Sequence, residues 1–215
     1  MNTKLLVDGN GIVCRTWWAN QSNVPNRFSK MINEVRPGAE ILVCWDAPGG
    51  SWRNVIFPRY KAQRPPKPDD LKRTLARCQQ ERQFKHCRAH GFEADDLIAT
   101  FARDAGTISP SVRPLVLIMS DDKDMLQLVD KLTLVVNSKR QVLNEQAVKG
   151  KFGVAPSELR YLLSWMGDAS DGLPGQRGFG PKRSIEKALA HEIGDQLTYD
   201  LVELANVPEG MIERW

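Results

Sequence analysis

Short apolar runs that end on acidic residues set the rhythm of this chain. KLLVD closes on Asp8, EILVCWD on Asp46, and PLVLIMSDD on Asp121 and Asp122. Continuous aliphatic runs without polar alternation predict strands buried on both faces of a parallel sheet. The predicted strands are 4–8, 40–46, 114–122 and 132–137, with a further short one near 140–143. Helical spacing predicts helices over 12–20, 26–36, 94–105, 123–129, 144–152 and 156–166. Strands alternating with helices predict an α/β fold, a mostly parallel twisted sheet flanked by helices.

Two stretches break the rhythm. Residues 53–92 are rich in cations and proline, and only the second half has helical character. Pro65, Pro66 and Pro68 oppose a helix through that part, which reads as a basic excursion from the sheet. After 166 the chain runs GDASDGLPGQRGFGPKRSIEKALA, a glycine-rich turn entering a helix near Pro181, where proline suits the first turn. The expected division is an α/β domain over 1–166 and a helical region over 167–215.

Composition adds a polyanionic partner to this picture. The 215 residues are ample for one core. Lys and Arg number 30 against 26 Asp and Glu, a net charge of +4. With many acidic residues committed to one place, the remaining surface is more basic than that total, which suits nucleic acid. No segment has the apolar length of a bilayer span, and the N-terminus runs into a strand without a secretory pattern. The four cysteines form no CxxC pair, so the cytoplasm is the expected compartment.

The chemistry lies in the carboxylates: Asp8, Asp46, Glu93, Asp95 and Asp96 in FEADD, Asp122 and Asp124 in SDDKD, and Asp168 and Asp171 in GDASD. Most stand where an apolar run ends, and in an open α/β sheet strand ends feed one crevice. Like charges gathered there repel by several kcal/mol per close pair unless cations join them. Acidic oxygen ligands suit hard divalent ions such as Mg²⁺ or Mn²⁺. Each cluster alone could be a helix cap or an acidic first turn; together they point to a metal-dependent phosphodiester hydrolase. His86, Cys87 and His90, on an expected helix, resemble a zinc site but lack a well-spaced acidic ligand.

VDGN, WDAPGGSWR, YKAQRPPKP, FEADDLIAT, SDDKDMLQL and GDASDGLPGQRGFGPK occur in the order found in the 5′ nuclease superfamily, and the chain resembles it over about 4–190. The likeness is to phage 5′-to-3′ exonucleases, the 5′ nuclease domain of bacterial DNA polymerase I and flap endonucleases. It implies a PIN-like sheet with two Mg²⁺ or Mn²⁺ at the carboxyl edge. Asp8, Asp46, Glu93, Asp95 and Asp96 would hold one ion directly or through water; Asp122, Asp124, Asp168 and Asp171 would hold the other. Lys61 and Arg64 would contact the scissile phosphate, with Arg53, Arg59 and a base-stacking Tyr60 beside them. Lys67, Lys72 and Arg73 would line a helical arch within 53–92 that orders on DNA. Gly175, Gly178, Gly180, Lys182 and Arg183 would form a helix-three-turn-helix on a duplex backbone, with K⁺ bound by its loop carbonyls.

The implied function is a monomeric, structure-specific 5′ nuclease. It would cut DNA near 5′ flaps, nicks or gaps, or RNA–DNA hybrids, alongside a replication or recombination partner. The resembled relatives carry further C-terminal helices beyond the hairpin. A PIN-like ribonuclease and a non-catalytic junction binder are the alternatives. The former needs neither GDASD nor the glycine hairpin, and the latter needs no full acidic set.

Overall fold

The computed structural model describes residues 2–107 and 112–215. Its centre is a seven-stranded sheet. The strands are β1 (Thr3–Asp8), β2 (Glu40–Trp45), β3 (Lys85–Ala89), β4 (Leu115–Met119), β5 (Thr133–Val136), β6 (Val142–Leu143) and β7 (Ile212–Arg214), in the order β6-β5-β4-β1-β2-β3-β7. All pairings are parallel except the two edges, β6 on β5 and β7 on β3. β1 and β4 are sequence-distant neighbours, so the winding reverses between them. A crevice opens at the carboxyl ends of strands at such a point.

The helices are α1 (Gly9–Ala19), α2 (Val24–Val35), α3 (Trp52–Ile56), α4 (Asp69–Cys78), α5 (Ala94–Thr107), α6 (Glu145–Phe152), α7 (Leu159–Met166), α8 (Pro181–Leu189) and α9 (Gln196–Leu201). Two cores form because the strands alternate their side chains across the sheet. Leu5, Val7, Val43 and Trp45 face α1, α2 and α4; Leu6, Cys44 and Ile118 face α5 and the C-terminal helices. Ala94, Ala99, Ala102 and Ala105 of α5 are all buried, and such small side chains let the helix lie close to the sheet. No helix of the described residues is long and apolar enough to cross a membrane.

The structure corrects several expectations. Lys85–Ala89, expected in the helical excursion, is β3. His86 and Cys87 lie on a strand, and His86 is buried between Trp45 and Trp215, its ring accepting from Trp45 Nε1 at 3.0 Å. That accounts for His86 without zinc. Residues 58–63 are consecutive turns, and α4 lies on α1 and α2 through buried Leu71, Leu75 and Cys78. Its Lys72 and Arg73 point to solvent and pair with Asp69 and Asp70 one turn earlier. The segment 123–128 is a 3-10 helix, capped by Asp122.

Candidate active site

Asp8 ends β1 and caps α1. One oxygen accepts from Gly11 N at 2.7 Å and the other from Ser120 Oγ at 2.9 Å. A side chain at residue 11 would run into that carboxylate, which accounts for glycine in VDGN. Asp46, just past β2, accepts from Ala94 N at 3.0 Å, while its own N–H donates to Asn10 Oδ1 at 3.2 Å. Asp95 stands in the first turn of α5. Asp122 follows β4 and accepts from Asp124 N at 2.9 Å; its own N–H donates to Ser120 Oγ at 3.1 Å. Ser120 thus braces both strand ends.

The electrostatics show how close these groups stand. Burial raises the Asp8 carboxyl to about 7, and Asp46 and Asp122 add to the rise. Burial also pushes Asp95 well above the carboxylate range, reinforced by Asp122, Asp8 and Glu93. Asp124 is raised to about 8 by burial and by Asp122, Asp171 and Asp168. Asp124, Asp168 and Asp171 each offer an oxygen within 4.8 Å of the others. Asp124 Oδ1 is buried with no hydrogen-bond partner. An enclosed, unpartnered carboxylate oxygen in an all-oxygen set fits a hard divalent cation.

Side-chain cations offset part of the charge. Lys61, at a left-handed φ of 57°, places Nζ 3.0 Å from Glu93 and 3.8 Å from Asp171. Burial opposes its charge, yet Glu93 and Asp171 prevail and its pKa rises. Arg64 pairs with Asp171 and donates through Nε to Ser170 O at 3.1 Å. Lys123 pairs with Asp168, whose carboxyl also accepts from Ser170 Oγ at 2.6 Å. Burial works against ionising Asp168, but Lys123 and Ser170 hold its pKa below the usual range. Ser120, Lys123 and Ser170 fall inside the acidic motifs, and sequence reasoning assigned them no role. Gln63, which donates to Ala169 O and Ser170 O at 3.1 Å, had no such signal.

Asp8, Asp46, Glu93, Asp95, Asp122, Asp124, Asp168 and Asp171 therefore share one crevice. Asp96 does not. Its fully buried carboxylate accepts two bonds from Arg53 at 2.9 Å, and others from Trp52 Nε1 at 3.1 Å, Glu93 N at 3.2 Å and Ala205 N at 2.9 Å. With its lone pairs taken by protein donors, Asp96 is a structural anchor rather than a direct ligand.

Arg53, expected on DNA, is only 2% exposed and also reaches Leu201 O and Glu203 O at 2.8 and 2.6 Å. Tyr60, expected to stack on a base, is buried. Its hydroxyl donates to Glu93 at 3.1 Å and Asp171 at 3.0 Å. Burial, and then those carboxylates, raise its pKa, so it stays a donor.

Arg59 and Lys67 are exposed. Gly175, at φ 62°, packs its backbone against Gly167, so its lack of a side chain serves the loop's own closure. Gly178 and Gly180 border open space, Lys182 is exposed, and Arg183 stacks over Phe179 with 4.9 Å to the ring centre.

The raised carboxyls make a pH prediction. Unfolded, Asp8 and Asp124 titrate near 3.8; folded and metal-free, near 7 and 8. Their stabilisation is complete below the unfolded value and is lost as pH rises through 7 to 8. The metal-free melting temperature should fall between pH 5 and 8. Mg²⁺ should raise it more at pH 8, where no proton has to leave. Equal shifts at pH 5 and 8 in thermal melts would contradict this.

Comparison with known proteins places these residues in a family. Residues 3–153 match the model of the 5′-3′ exonuclease N-terminal resolvase-like domain. The chain is 38% identical over 182 residues to DNA polymerase I of Pseudomonas aeruginosa, covering 80% of the chain and 19% of that protein. It is 33% identical over 202 residues to the 5′-3′ exonuclease of Aquifex aeolicus, covering 86% of the chain and 68% of the relative. The chain thus spans about a fifth of the polymerase and two thirds of the exonuclease. In fold it is similar to T5 5′-exonuclease with bound zinc ions (TM-score 0.75, 18% identity, 94% of this chain and 84% of that one). It is also similar to the catalytic core of Rad2 in complex with DNA (TM-score 0.57, 16% identity, 87% and 60%).

Proposed function

The chain belongs to the 5′-3′ exonuclease family, and from that we propose that it is a structure-specific 5′ nuclease. It hydrolyses DNA phosphodiesters near single-strand/duplex junctions as a monomer, using Mg²⁺ or Mn²⁺. The observation that carries this reading is the convergence of carboxylates with Lys61 and Arg64 at the carboxyl edge of the sheet, most of them within residues 3–153 matched by the family model and Asp168 and Asp171 just beyond it. Asp124, Asp168 and Asp171 would hold one ion; Asp8, Asp46, Asp95 and Asp122 would hold another, with Glu93 reaching it directly or through water. When bound, such ions supply Lewis acidity toward the phosphate and a nucleophile from water.

The protein's own groups position and neutralise. Tyr60 OH fixes Glu93 against Asp171, and Ser120 fixes Asp8. Lys61 and Arg64 are held by Glu93 and Asp171, and with those carboxylates neutralised by bound cations they would be free to face the scissile phosphate. Lys61 then meets the developing charge, while Arg64 grips phosphate oxygens in a fork. The α7–loop–α8 hairpin is read as a helix-three-turn-helix. It presents Gly178, Gly180, Lys182 and Arg183 to a duplex backbone, with K⁺ on its loop carbonyls. Arg59 and Lys67 extend the basic surface.

Lys61→Ala should slow single-turnover cleavage by about 10²–10³-fold, as for loss of one preorganised stabiliser of transition-state charge. DNA affinity should change far less. A weakened Kd with an unchanged cleavage rate would make Lys61 a binding residue only. The reading as a whole is tested by 5′-flap, nicked and plain duplex DNA, labelled at either end. Short 5′ products released from the junction support it; cutting of single-stranded RNA alone would favour the PIN-like ribonuclease.

A further inference from the structure

Beside the acidic crevice lies a second, basic pocket of about 220 Å³, sharing Ser120 and Asp122 with it. Four cations from four separate segments line it: Arg15 of α1, Lys123, Lys139 of the β5–β6 turn and Lys151 at the end of α6. Two are compensated, Arg15 by Asp121 at 3.7 Å and Lys123 by Asp168. Lys139 and Lys151 have no carboxylate within ion-pair distance among the described residues, and both are exposed.

The turn that carries Lys139 is held in shape. Asn137 Oδ1 accepts from the N–H groups of Lys139 and Gln141 at 3.0 and 2.9 Å. Asp121, whose direction the sequence left open, turns away from the acidic crevice and accepts from Ser138 N at 3.1 Å. The loop that leaves β4 beside the acidic site is thereby tied to the turn that presents Lys139. An uncompensated cation on a braced turn and another at the end of α6, continuous with a site for phosphate chemistry, form a path for further phosphates of the same strand.

We infer that Lys139 and Lys151 bind the sugar–phosphate backbone of the substrate strand next to the scissile phosphate, so that the strand runs from the acidic crevice over the β4–β5 edge. This rests on the nuclease reading for the identity of the substrate. The contacts are ionic and sequence-independent, and their mark is salt dependence rather than base preference.

The test measures binding of junction DNA by fluorescence anisotropy in EDTA, from low to moderate salt. The substrates carry single-strand extensions of increasing length, either 5′ or 3′ of the junction. For the wild type, affinity should rise with extension on one of the two sides, and that side identifies the segment bound. In Lys139→Ala/Lys151→Ala the rise should vanish, and the slope of log K against log salt should become shallower by roughly 1.5, the two lost contacts. A length dependence and salt slope equal to the wild type on both sides would overturn the inference. Cleavage of the same DNA by the wild type in Mg²⁺ reads the nuclease proposal separately. Without cleavage, that proposal falls whatever the extensions show.

Discussion

Arg53→Met should lower the free energy of unfolding by about 3–5 kcal/mol, the usual loss when one partner of a buried ion pair is removed. All the N–H groups of Arg53 are engaged, by Asp96, Glu93, Leu201 O and Glu203 O. The variant leaves Asp96 charged, fully buried and short of two donors. Burial by itself would oppose the guanidinium charge, but Asp96 outweighs it and drives the pKa further up, so Arg53 is held charged. Urea unfolding reads the loss. Arg53→Met/Asp96→Leu, which removes both charges, should recover part of it, because apolar replacement of a whole pair is often near neutral. A single variant within about 1 kcal/mol of wild type would show that Arg53 is not the anchor between α5 and the 201–205 segment.

Asp124→Asn should reduce Mg²⁺-dependent cleavage by at least about 10³-fold, the several kcal/mol expected when a site loses its cation. The substitution nearly keeps the shape but removes the charge that attracts the ion. Its second effect separates chemistry from misfolding. Asp124 is a carboxylate that burial holds protonated up to about pH 8. Replacing it removes a group whose ionisation destabilises the metal-free fold, so melting above pH 8 should be unchanged or higher. Lost cleavage together with a lowered metal-free melting temperature would assign Asp124 a structural role instead. Full cleavage would remove it from the site.

The central strands were legible because β1, β2, β4 and β5 are uninterrupted apolar runs, buried on both faces. β3 was not. KHCRA carries Lys85, His86 and Arg88 in five residues, and its strand identity comes from β2 on one side and the short β7 on the other. Those neighbours are remote in sequence.

Asp8, Asp46 and Asp122 stood out for the same reason as the strands: each follows an apolar run, and strand ends converge. Asp96 was misread because its triplet could not show which members face the crevice. Helical geometry turns Asp96 about 100° from Asp95, toward Arg53. Arg53 itself has no signature, since two of its acceptors lie 148 and 150 residues away. Arginine is rarely buried without a partner, and sequence does not reveal the partner. Tyr60 looked like a stacking platform for a similar reason. Its role depends on Glu93 and Asp171 meeting over its hydroxyl.

The most direct test of the central claim is single-turnover cleavage of a 5′-flap DNA by the purified chain, in Mg²⁺ and in EDTA. The account predicts cutting next to the junction in Mg²⁺, none in EDTA, and recovery when Mg²⁺ is restored. Tight binding of the flap without cutting in Mg²⁺ or Mn²⁺ would contradict it, and would leave the carboxylate crevice on a DNA-junction binder without a reaction to perform.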